Sequence, residues 1–189
     1  MSTDRLSATL AAIDKANATD PNHAADGTPE ALLYGQRMSD ELARLIPDAS
    51  ELLQVAVRGQ HIERWTSPRA SYPEGREGYL AWRRDLGAFH ATRVAEIMEA
   101  SGYGVAEAER AGRMLRKEGI KRDPDVQALE DVACLTFLRW YFLPFATSHD
   151  ESDISRIVQK TARKMSPRGR ARALSDFDLP ESLASAFRE

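Results

Sequence analysis

Residues 123–145, DPDVQALEDVACLTFLRWYFLPF, decide the fold. Asp123 followed by Pro124 is a helix start: a short carboxylate to receive the first free backbone N–H groups, then an imino acid where no N–H is needed. Behind it, Val126, Leu129, Ala133, Phe137, Leu138, Tyr141 and Phe145 occupy most of the helix circumference. A helix apolar nearly all round belongs at the centre of a helical domain. Within this apolar run lie two adjacent carboxylates, Glu130 and Asp131. Burying either one is costly unless it is paired, hydrogen-bonded or bound to a cation.

Working outward, the same start and stop grammar recurs and strand alternation does not. A first helix is expected over about 3–17, ending before Asp20-Pro21. Thr28-Pro29-Glu30 opens a second, carrying Leu32, Leu33, Met38, Leu42 and Leu45. Asp48 with Glu51 three residues on has the form of a capping box and opens a third, expected to hold Leu53, Val57, His61 and Arg64 on one stretch. The prolines and glycines of TSPRASYPEGREG make an irregular loop. Tyr79, Trp82, Leu86, His90, Val94 and Ile97 then define a long amphipathic helix closed by Gly102. Helices are further expected at 105–117, 150–165, 167–175 and 180–188. The expectation is a single all-α domain over 1–189, a helical bundle with its core at about 30–145 and a helical extension at 150–189.

Composition narrows the function classes. The 189 residues are 42% hydrophobic and 29% charged, and contain one cysteine, Cys134, so no disulfide forms within the chain. No apolar run is long enough to span a bilayer. The start MSTDRLSATL lacks the apolar core of a secretory signal, so a cytoplasmic address is expected. No GxSxG, Walker-type, HExxH or Glu-x-x-His pattern occurs, which disfavours serine hydrolases, P-loop NTPases, zincins and di-iron bundles. The net charge of −3 hides segregation. Residues 1–57 carry 4 basic and 9 acidic side chains, whereas 58–84 carry six arginines against three glutamates. Residues 156–172 carry seven basic side chains and no acid. Local basic stretches on an acidic chain point to an anion site.

His61 and His90 complete the chemistry-bearing set, each in an apolar helical segment. Two imidazoles and a carboxylate brought to one interior suit a divalent metal such as Zn, Mn, Fe or Ni. The expected ligands are His61, His90 and Asp131, with Glu130 as general base or support, so Glu130 and Asp131 are the candidate catalytic pair. Arg58, Arg64, Arg69, Arg76, Arg83 and Lys117 are the candidate phosphate binders, because guanidinium and ammonium groups match phosphate oxygens. Trp65, Tyr72, Tyr79 and Trp82 interleave with them and offer faces for a base. The expected activity is metal-dependent hydrolysis of a phosphorylated, nucleotide-like small molecule. The alternative is a non-catalytic module that holds RNA or an acidic protein through 156–172.

The order of segments also resembles an HD-type metal-dependent phosphohydrolase domain over about 30–145. YGQRMSDELARLI is similar to its first helix, with Tyr34 or Gln36 in the place of the histidine. ELLQVAVRGQHIERW is similar to its His-Asp helix, with Gln60-His61 for the dyad. LGAFHATRVAEIMEASGYGVAEAERAGRMLRK is similar to its later helix pair, with His90 near a ligand position and Lys117 where another histidine is common. In QALEDVACL, Asp131 stands for the terminal Asp. The resemblance implies an all-α fold and a metal site, but the exchanges at Tyr34, Gln60 and Lys117 count against the dinuclear form and leave a mononuclear site, a site that reads ligands without hydrolysis, or none. Across nearly the whole chain, the series RGQHIERW, SPR, GYLAWR, LEDVACLTFL and KTARKMS resembles an uncharacterised domain-of-unknown-function family.

Overall fold

The computed structural model describes residues 2–188. The decisive stretch folds as expected at its start. Asp123 accepts from the backbone N–H groups of Asp125 and Val126, and helix α6 runs over Pro124–Thr136. Val126, Leu129 and Val132 are fully buried, and Glu130, Asp131 and Cys134 on the other faces are buried too. The helix packs against α2 (Glu30–Leu45), α3 (Glu51–Gly59), α5 (Val105–Leu115), α8 (Glu151–Lys164) and α9 (Pro167–Asp176). Burial on every face is what its apolar circumference demands.

The same helix does not continue to 145 in α form. After Thr136 the ladder widens into a π-helical segment, Phe137–Tyr141, followed by α7, Phe142–Ser148. Such a widening adds a residue to the turn and re-aims the side chains beyond it. Phe137 turns inward against the edges of Phe142 and Phe145, while Trp140 and Leu143 are left 38% and 72% exposed.

The centre is shared with α3. Ser50, rather than Asp48, caps this helix by accepting from Leu53 N–H, and Leu53, Val55, Ala56 and Val57 are buried. Gly59 lets the helix meet α4, Gly75–Ala100: a Cβ there would lie 2.5 Å from Val94 Cγ2. Helix α3 then stops, so His61 and Arg64 are not on it as expected. Glu63 takes a left-handed conformation (φ 48°), and Arg64–Thr66 form one 3-10 turn. Partners distant in sequence hold this break. The Asn17 side chain of α1 (Ser2–Asn17) accepts from Glu63 N–H, and Arg93 of α4 bonds the Glu63 carboxylate at 2.8 Å.

Beyond Gly102, in left-handed conformation at φ 92°, α5 folds back on α4. Helices α8, α9 and α10 (Glu181–Ala184) place Val158, Ala162, Met165, Ala173 and Phe187 in the same core as α3 and α6. The C-terminal residues are therefore part of one core and not an appendage to 30–145. A buried ion network ties the halves together: Glu41 of α2 meets Arg44 and Arg139, and Arg139 reaches Asp176 of α9. Among the described residues the fold is all-helical, with only an isolated bridge between His23 and Pro29 outside it. No described helix is long and apolar enough to cross a membrane.

Candidate anion-binding cleft

The break after α3 presents His61 and Arg64 from a turn, where their side chains reach a cleft between α2, α4 and α6. The His61 ring stacks on Tyr34 of α2, centroids 3.8 Å apart at 13°, and lies 6.2 Å from the His90 ring of α4. Arg64 Nη1 approaches His61 Nε2 at 2.8 Å, and its guanidinium lies 4.9 Å from the Trp82 ring centre. An arginine can only donate, so His61 Nε2 must be an acceptor, and the ring is neutral there. Burial, then the charges of Arg64, His90, Arg83 and Lys117, hold the His61 pKa well below its ordinary value. Burial, then Arg64 and Arg83, push His90 down to about 3. Both imidazoles are thus uncharged in a cationic setting.

Two cavities meet at this wall. The outer cleft encloses about 1150 Å³, with Tyr34, Trp65, Trp82 and Tyr141 among its aromatic lining. The inner cavity, about 400 Å³, extends along α4 past Gly87 and His90 to Glu118. Gln60, His61, Arg64, Arg83 and Lys117 line both. Lys117 stands in a left-handed backbone conformation (φ 58°), strained for a non-glycine residue and of the kind retained at functional positions. It pairs with Glu130, which also has Lys164 at 3.7 Å. Burial alone would raise the Glu130 pKa, but Lys117, Lys164 and Arg83 hold it below the usual glutamate value. Cys134 lines the outer cleft, yet burial pushes its thiol up to about 12, so it is a small core side chain and no thiolate.

The structure therefore gathers His61, His90, Glu130, Arg64, Arg83 and Lys117, with Arg69 at the rim. Arg69 also ties the loop, donating to the carbonyl of Tyr72 at 2.9 Å. Three expected members are elsewhere. The Asp131 carboxylate accepts from Ser166 backbone N–H at 2.8 Å, from the Ser166 hydroxyl and from Gln127 Nε2, so it anchors the start of α9. Adjacent residues on a helix diverge by about 100°, and the cleft takes Glu130. Arg58 grips Asp14 on the other side of α3, at 2.6 and 2.7 Å, and Ser39 at 3.1 Å. Arg76 is exposed in the first turn of α4 and lines neither cavity.

Sequence reading passed over Gln60, Lys164 and Arg37 as site residues. Arg37 of α2 stacks 4.5 Å from the Trp140 ring centre, and it too lines the outer cleft. An arginine on the helix bearing Tyr34 was the available signal. In 156–172, Arg156, Lys164, Arg168, Arg170 and Arg172 bond Asp153, Glu130, Leu45 O, Met165 O and Asp176, which makes much of that stretch internal glue.

The donor set suits a metal poorly. Among the described residues, no three His, Cys, Asp or Glu side chains are grouped to hold one ion. His61 Nε2 is directed at Arg64, Glu130 is directed at two lysines, and Arg83 adds a further positive charge. A divalent cation here would meet like charge. Replacing Asp131 with Ala should accordingly cost stability, about 1–3 kcal/mol for its lost hydrogen bonds, and leave ligand affinity in the cleft intact. Denaturant melts and a binding titration on the same variant check both halves.

The fold and cleft define a class: a one-core helical domain with a two-chambered basic pocket walled by neutral histidines. The chain belongs to the family described as a domain of unknown function (DUF4202), whose model matches residues 7–186. No curated protein and no solved structure matches it.

Proposed function

We propose that the outer cleft binds a phosphorylated small molecule with an aromatic moiety, of the nucleotide type. The observation that carries this is Arg64. Its guanidinium is largely enclosed and stacked on Trp82, and among the described residues no carboxylate lies within ion-pair distance of it. Burial, then Arg83, pull its pKa below the arginine value, as expected of a cation lacking its counter-ion. Burying an unpaired charge costs several kcal/mol, and an anionic ligand offsets that cost. Phosphate fits the planar fork of arginine, and Tyr34, Trp65 and Tyr141 supply faces for a ring. A cleft of this size accommodates a nucleoside-sized body.

On this reading the chain keeps an HD-like order of helices but employs it without the metal. Arg64, Arg83 and Lys117 neutralise the phosphoryl charge. Glu130, kept ionised by its lysines, stands ready to orient a water if the bound ester is turned over. The test is a thermal-shift panel of nucleotides and sugar phosphates, each with and without Mn, Ni or Zn. A ligand at a hundredfold excess over its Kd adds about 2.7 kcal/mol, which is about 5–10 °C for a chain of this length. The expected result is such a shift with nucleotides, independent of metal. A shift from metal alone, or from nucleotide only in its presence, would restore the metal-dependent hydrolase. No shift with any phosphate compound would end the cleft reading.

A further inference from the structure

The inner cavity is not needed to hold one phosphate in the outer cleft, yet most of the residues lining it are polar or charged. Two buried polar atoms without a hydrogen-bond partner among the described residues, His90 Nε2 and Gln60 Oε1, belong to residues lining it. His90 is 4% exposed, so bulk solvent does not satisfy it. Unsatisfied buried groups of this kind are rare, and each asks for an occupant. The charges around the chamber are not evenly committed. Arg84 is tied to Asp85 at 3.0 Å, and Arg116 to Glu109 and Glu118, both at 2.6 Å. Arg83 has no carboxylate within ion-pair distance among the described residues and faces both chambers, as Arg64 and Lys117 do.

We infer that the inner cavity is a subsite for a second phosphoryl group. The ligand then carries two, with Arg64 and Arg83 bridging them, the outer group against Lys117 and the inner one accepting from His90 Nε2–H. The inference rests on the phosphate reading of the outer cleft and specifies it. The surrounding cations favour this occupant over a metal, since Arg64, Arg83 and Lys117 attract an anion and repel a metal ion, and a His90 ring carrying its proton on Nε2 donates to it. The Gln60 amide, whose ends exchange by rotation, can turn its NH₂ group to the same occupant. At about 400 Å³ the chamber has room for a phosphoryl group with its waters.

Isothermal titration with orthophosphate and with pyrophosphate removes the unknown organic group from the question. The intact chain should bind pyrophosphate at least tenfold more tightly than orthophosphate, the worth of one charge-assisted contact or more. In His90→Phe that ratio should fall about tenfold. Ala88→Trp provides an independent check, because Ala88 is an exposed residue at the edge of the inner cavity and contributes no polar group. It should lower the ratio likewise without a loss of melting temperature. Equal affinity for the two anions in the intact chain, or a ratio that survives both variants, overturns the second subsite while the outer cleft stands. Failure of both anions and of all nucleotides to bind removes the outer cleft reading, and the subsite falls with it.

Discussion

Arg64→Met should weaken binding of a phosphorylated ligand by about 10- to 150-fold, the equivalent of about 1.5–3 kcal/mol for a hydrogen bond to a charged group. Unliganded, the same variant should melt no lower than the parent chain. The reasoning lies in what Met keeps and what it removes. Its straight, polarizable side chain still covers the Trp82 face that the guanidinium occupies at 4.9 Å. The charge, which meets a neutral imidazole and the like charge of Arg83 but no carboxylate among the described residues, is gone. Exchanging an uncompensated buried ion for an apolar group of similar length relieves desolvation. Opposite signs in the two measurements are the mark of a side chain retained for ligand binding at a cost in stability. A variant that loses affinity and stability together would make Arg64 a structural residue and remove the main support of the phosphate reading.

Glu41→Ala should give the largest loss of stability of any single substitution considered, about 3–5 kcal/mol. Glu41 is 1% exposed on α2, and its carboxylate is shared by Arg44, at 2.9 Å, and by Arg139 of the π-helical segment. Arg139 continues to Asp176 at 3.1 Å and stacks 4.8 Å from the Phe177 ring centre. Truncating Glu41 strands Arg139 among apolar neighbours with half its partners. Arg139 retains some solvent access, which places the loss toward the lower end of the range. A total stability of about 5–15 kcal/mol makes this a large fraction. Urea unfolding should show a lower midpoint with an unchanged slope. The double variant Glu41→Met, Arg139→Met should recover much of the loss, because a pair removed together leaves no orphan. If the single variant unfolds at the parental midpoint, the network contributes nothing and the join between α2, the π segment and α9 rests on apolar packing alone.

Much of the fold was legible because it rests on neighbours a few residues apart. Caps such as Asp123 and Ser166, stops such as Gly102, and apolar spacing are local, so the order of the helices follows from the chain, although the break of the 123–145 helix at the π segment does not. The polar candidates His61, His90 and Glu130 were visible for a related reason: they interrupt apolar segments, and such interruptions need partners. The excess of arginine in 58–84 marked the basic wall in the same way.

Other choices belong to contacts far apart in sequence. Glu130 and Asp131 are chemically alike and adjacent; Ser166, 35 residues on, takes Asp131 and leaves Glu130 to Lys117 and the cleft. Arg58 and Arg64 look equivalent in the chain, yet Asp14, 44 residues away, neutralises the first, and no described carboxylate neutralises the second. Helix α3 ends at Gly59 because Asn17 and Arg93 hold Glu63 in a left-handed turn, a conformation that local propensity disfavours. By itself, then, the sequence determined that this protein is helical, which helix is central and which residues carry charge into apolar surroundings. Only the tertiary structure decided which of those charges are cancelled, since a counter-ion is found by packing and not by spacing along the chain.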